Sequence, residues 1–201
     1  MTDFYFDLYE KLYQDGYHSD LSFSHFESIE PFVMAQLHNR PYSTILDVGC
    51  SHGLVVQKLI NMGHNAYGID VSNTAIEKCK QRGLTTCKLA SVTETPFDDN
   101  MFDLIISTDM LEHLLPEDVS QAVTELRRIC KGKCLFSIAC DPEGNKTPLQ
   151  KLHNKNQYTN LTTLHTTLMP PDEWNQYFYN AGFDNCMKIS YNNDLYIVIY
   201  E

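Results

Sequence analysis

Ile45-Leu46-Asp47-Val48-Gly49-Cys50-Ser51-His52-Gly53 runs an apolar segment into a turn bracketed by two glycines. Thr44 to Val48 reads as a buried strand, and Leu54, Val55, Leu59, Ile60 and Met62 recur on one face of a helix that stops at Gly63. Strand, glycine turn and helix in that order make the first half of a βαβ unit. Glycines at 49 and 53 let a ligand approach backbone N–H groups without meeting a Cβ, and the helix start adds a positive dipole end. Asp47, Gly49, Cys50, Ser51 and Gly53 therefore form the first candidate binding set. The turn carries neither GxGxxG nor GxxxxGK[ST], which removes support for pyrophosphate recognition.

Outward from this segment the same alternation continues. Ala66 to Asp70 reads as a second strand, Ser72 as the N-cap of a helix bearing Ile76 and Cys79, Leu84 to Ala90 as a third strand and Phe102 to Thr108 as a fourth. Pro116 suits the first turn of a helix with Val119, Ala122, Val123, Leu126 and Ile129 on one stripe, and residues 133–140 give a fifth strand. Pro170 and Pro171 open a helix carrying Trp174, Tyr177 and Phe178, and two β-type runs close the chain. This pattern predicts an α/β domain, a doubly wound and mostly parallel sheet with helices on both faces. Ligands in such sheets bind outside the carboxyl ends of the strands, which points to Asp47–Gly53, Asp70, Ser91 and Asp109. Asp70, closing the second strand, is placed to accept both hydroxyls of a ribose.

Four segments, in order, carry a family resemblance. Asp47-Val-Gly-Cys-Ser-His-Gly53, Gly68-Ile-Asp70-Val-Ser, Thr95-Pro-Phe97-Asp-Asp-Asn-Met-Phe-Asp103 and Asp109-Met-Leu-Glu-His113-Leu resemble successive motifs of the class I S-adenosylmethionine-dependent methyltransferases. The resemblance implies a Rossmann-like seven-stranded sheet with an antiparallel last strand, and S-adenosylmethionine as cofactor. It implies that Gly49 and Gly53 border the methionine part, that Asp70 holds the ribose, and that Ile69, Val71 and Val92 flank the adenine. Ser91 stands where the family often has an Asp for the adenine amine.

The chain is expected to be a single domain: a helical arm over 1–40, a cofactor-binding core over 41–140, a substrate-side insertion over 141–170 and a C-terminal helix and strands over 171–201. A sulfonium methyl is already activated, so in-line transfer needs alignment of the acceptor, exclusion of water, and a base where the acceptor holds a proton. Candidate bases are His113, His153 and His165. Tyr17, His113, His153 and Tyr158 are candidate substrate contacts, with Asp109 facing the cofactor's methyl end or opening a helix. Cys130 and Cys134 lack histidine partners at ligand spacing, so no metal is expected. The alternative readings are a cofactor-binding but non-catalytic subunit, and a methyltransferase acting on a protein or peptide.

The 201 residues carry a formal charge of −11, which disfavours a phosphate-tracking surface and hence nucleic acid. Residues 1–30 alone hold seven acids against Lys11. Tyr5, Tyr9, Leu12 and Tyr13 fall at helical spacing in that acidic arm, either as a face packed on the core or as a lid over a ligand site. Seven cysteines without a CxxC read as buried thiols, and no leader or membrane-length apolar run is evident, so a cytoplasmic monomer or homodimer is expected, acting on a small molecule.

Overall fold

β1 (Thr44–Val48) lies at the centre of a seven-stranded sheet whose order is β3-β2-β1-β4-β5-β7-β6. The computed structural model describes residues 2–18, 24–41, 43–141, 164–192 and 195–201. β1 pairs in parallel with β2 (Asn65–Asp70) and β4 (Phe102–Thr108), while β2 pairs with β3 (Cys87–Leu89) and β4 with β5 (Cys130–Ala139), also in parallel. β7 (Leu195–Tyr200) runs antiparallel between β5 and β6 (Cys186–Asn192), as the sequence resemblance implies. Strand order reverses between β1 and β4, and that reversal opens a crevice at their carboxyl ends.

Alternation along the strands sends side chains to two cores. Ile45, Leu104, Ile106 and Leu135 meet Phe26, Ile29, Val33 and Leu37 of α2 (Ser24–Leu37), Val56 and Leu59 of α3 (Leu54–Asn61), and Ile76 and Cys79 of α4 (Asn73–Gln81). Leu46, Ile105 and Phe136 face the other way, onto Val119, Val123 and Leu126 of α5 (Pro116–Ile129) and Trp174 and Phe178 of α6 (Pro171–Asn180). Ser72 caps α4 as expected, its Oγ accepting from the Ala75 amide at 3.2 Å.

Two strand starts differ from the sequence reading by three residues. β3 is only Cys87–Leu89, because Leu84 turns into the core below α4 before the strand begins. β5 starts three residues early, at Cys130, because Gly132 lets it press against β4: a Cβ there would lie 2.0 Å from the Asp103 carbonyl oxygen. The arm also divides. α2 packs on the sheet, and only α1 (Thr2–Gln14) crosses the carboxyl edge, with Tyr5 bonded toward α5 and Glu10 toward α4. Among the described residues no helix is long and apolar enough to cross a membrane.

Candidate active site

Asp70 ends β2 with both carboxylate oxygens oriented by backbone. The Ser72 amide donates to Oδ1 and the Ser51 amide to Oδ2, each at 2.9 Å. Burial lifts its pKa to about 6, with those two amides pulling the other way. Each oxygen keeps a lone pair for a ligand hydroxyl.

The glycine turn corrects an expectation. Its amides do not wait for a ligand: Gly49 and Cys50 both donate to the Ile69 carbonyl, Ser51 donates to Asp70, and Gly53 donates to the Cys50 carbonyl. Gly53 does not line the cavity, because its role is packing; a Cβ there would lie 2.5 Å from Leu84. Gly49 does line it, at φ 78°, where a Cβ would meet Met110 at 2.9 Å. With four of its amides so engaged, the turn leaves few donors for an anion and offers a close wall.

That wall belongs to a cavity of about 500 Å³ at the crevice between β1 and β4. Asp47, Cys50, Ser51, Val71, Ser91 and Val92 line the β1–β2 side with Gly49 and Asp70. Asp109, His113, His165 and Tyr17 line the far side. His153 and Tyr158 lie outside the described residues. The described lining contains Asp47, Asp70 and Asp109 and neither Lys nor Arg. Ser91 is turned onto Thr93, its Oγ 2.8 Å from Thr93 Oγ1 and accepting from the Thr93 amide at 3.2 Å.

Asp47 is buried, and that burial first, then Cys79 and Asp70, raise its pKa to about 8. The folded state thus keeps a proton that the unfolded chain releases near pH 4. The resulting stability is fully present below the unfolded pKa and is lost as pH rises toward 8. Asp47→Asn fixes the neutral form, so the variant is expected to lose less stability than the parent chain between pH 5 and pH 8. Urea unfolding at both pH values checks this, and equal pH slopes would refute it.

α1 forms the roof. Tyr5, Tyr9 and Tyr13 line the cavity in one i, i+4 row of the helix, and Tyr17 joins them from the turn that follows it. Tyr9 Oη lies 2.8 Å from His113 Nδ1, and Tyr13 packs its ring 5.5 Å from His52. His113 also bonds the Leu164 carbonyl, and its pKa falls to about 3, through burial and then through His165. The ring is therefore neutral near pH 7, already partnered, and suited to holding Tyr9 rather than to taking a substrate proton. His165 sits edge-on to it at 4.8 Å.

Glu112 was not anticipated. It is completely buried, Oε1 accepts from the Ala139 amide at 3.0 Å, and Oε2 has no partner among the described residues; burial and then Asp109 push its pKa well up. A neutral carboxyl is the form this pocket holds. No spacing rule flags such a residue, because its neighbours come from β5 and from the segment containing Thr167.

The methyltransferase domain family model matches residues 46–138, the stretch that builds this crevice. An uncharacterized protein of Methanocaldococcus jannaschii is 30% identical over 173 residues, covering 86% of this chain and 67% of that protein. A ubiquinone biosynthesis O-methyltransferase of Methylococcus capsulatus is 36% identical over 100 residues, 46% of this chain and 41% of that one. The magnesium protoporphyrin IX methyltransferase of Synechocystis, solved with bound S-adenosylhomocysteine, shares the fold at a TM-score of 0.72 and 16% identity, covering 99% of this chain and 98% of that one. The chain belongs to the class I S-adenosylmethionine-dependent methyltransferases. Beyond the archaeal protein, it spans between 34% and 52% of the length of the first curated relatives it matches.

The methyltransferase cofactor suits the geometry. S-adenosylmethionine carries a cationic sulfonium and ammonium and no phosphate. Three acidic side chains, Asp47 among them held neutral below about pH 8, four engaged loop amides and neither Lys nor Arg in the described lining accommodate that charge, and the cavity volume is ordinary for a cofactor pocket.

Proposed function

We propose that this methyltransferase moves the methyl group of S-adenosylmethionine to an oxygen or nitrogen of a small-molecule acceptor. The carrying observation is the one cavity that runs from Asp70 and Gly49 under α1 to His113 and His165, its described lining mostly apolar and aromatic, with three aspartates and neither Lys nor Arg. Asp70 takes the ribose hydroxyls, Val71 and Val92 flank the adenine, and Gly49, Cys50 and Ser51 border the methionine part. Bound there, the cofactor supplies an electrophilic methyl group. α1 excludes water, and the Tyr9–His113 pair fixes the far wall against which an acceptor lies. Of the candidate bases His113, His153 and His165, it is His165 that lines the cavity and is left to receive an acceptor proton, with His18 and His52 lining the cavity as well.

Calorimetric titration with S-adenosylmethionine and S-adenosylhomocysteine, followed by a transfer screen over hydroxyl, amine, carboxylate and thiol acceptors, tests the assignment. Saturable binding of both and turnover on an oxygen or nitrogen acceptor are expected. Absence of binding would defeat the cofactor assignment. Binding with no transfer to any acceptor would favour a non-catalytic subunit.

A further inference from the structure

Cys50, Cys79 and Cys87 reach one point from three elements: the turn after β1, the last turn of α4 and the first residue of β3. All three are buried free thiols, and their sulfurs lie within 4.8 Å of one another. The Ser51 carbonyl oxygen joins them, 3.3 Å from Cys79 Sγ and 3.9 Å from Cys50 Sγ. Glycines keep the space: a Cβ at Gly68 would lie 2.7 Å from Cys50 Sγ, and one at Gly53 would lie 2.9 Å from Cys79 Sγ.

These distances match a known coordination shape. With zinc–sulfur bonds of about 2.3 Å and zinc–oxygen bonds of about 2.1 Å, a tetrahedron has S–S edges of about 3.8 Å and S–O edges of about 3.6 Å. Three sulfurs within 4.8 Å, with an oxygen 3.3 and 3.9 Å from two of them, need shifts of about an ångström to close on one ion. We propose that Cys50, Cys79, Cys87 and the Ser51 carbonyl form a binding site for a thiophilic divalent cation, zinc or its heavier congener cadmium. On binding, each thiol releases its proton to solvent and three sulfur–metal bonds form; no electron changes hands.

Such an ion would sit behind the cofactor turn. Ser51 turns its carbonyl to the thiols and its amide to Asp70, so one residue ties the cation to the carboxylate assigned to the ribose. The ion would pin β1, α4 and β3 together at that corner. The other close donor group among the described residues, Glu112, His113 and His165, is the weaker candidate because the His113 ring already bonds Tyr9 and Leu164.

The test uses the full reduced chain, stripped of metal and titrated with cadmium while the ultraviolet thiolate-to-metal charge-transfer band is followed. The band is expected to saturate at one equivalent with the intensity of three thiolates. Cys87→Ser should weaken binding at least tenfold, and Cys130→Ser, in the Cys130–Cys134 pair elsewhere, should leave it unchanged. X-ray absorption of the zinc-loaded parent chain needs no variant and should show three sulfurs and one oxygen. A zinc shell of nitrogen and oxygen, or cadmium binding indifferent to Cys87→Ser in a folded variant, would overturn the site. Neither readout involves S-adenosylmethionine, so failure here is separable from failure of the cofactor assignment.

Discussion

Asp70→Ala is expected to weaken S-adenosylmethionine binding by roughly 30- to 150-fold, the equivalent of about 2–3 kcal/mol for hydrogen bonds to a charged acceptor. The substitution removes both ribose acceptors together. It also strands the Ser51 and Ser72 amides, which now donate to Oδ2 and Oδ1, and so loosens the turn beside the methionine part. Asp70→Asn separates the two effects, since it keeps the volume and one acceptor oxygen, and its loss should be smaller. The comparison belongs at pH 8, where a carboxyl of pKa about 6 is ionised in the parent chain. An Ala variant with unchanged affinity in calorimetry would remove Asp70 from the site.

Tyr5→Ala should cost about 3 kcal/mol of folding stability, within the range for truncating a buried aromatic ring. Tyr5 is 5% exposed, donates to Asp118 Oδ2 and accepts from the Leu115 amide, both at 2.7 Å. Losing it leaves a cavity, a buried carboxylate short of a donor and an orphan amide at the start of α5. Tyr5→Phe keeps the ring and should cost about 1–2 kcal/mol, the share of the hydroxyl. Chemical denaturation of the three chains reads both values. A loss under about 1 kcal/mol for the Ala variant would mean that α1 rests on the domain without helping to hold it together.

The parts legible in sequence were those with short-range rules. Asp47 to Gly53 and Gly68 to Asp70 showed where the crevice lies, because strand ends followed by turns and capped helices leave marks within a few residues. Ser72 was identifiable as a cap for the same reason. The amides of Gly49, Cys50 and Ser51 were misjudged because their acceptors, the Ile69 carbonyl and Asp70, arrive from the neighbouring strand. Glu112 and the Cys50–Cys79–Cys87 cluster were invisible for a related cause: their partners are brought together only by sheet order. The pairing of Tyr9 with His113 joins residues 104 apart, and only the i, i+4 row of tyrosines hinted at it.

The roof helix is fastened at two helix starts. Tyr5 fixes α1 to the beginning of α5, while Glu10 accepts from Ser72 Oγ, the Thr74 amide and Thr74 Oγ1 at the beginning of α4. Both fastenings sit on helix starts that frame the crevice, with the cavity between them. Releasing either fastening would lift α1 from that side of the crevice. Under the proposed function, variants that loosen Tyr5 or Glu10 are therefore expected to quicken cofactor exchange before they alter the transfer step, which stopped-flow binding separates from turnover.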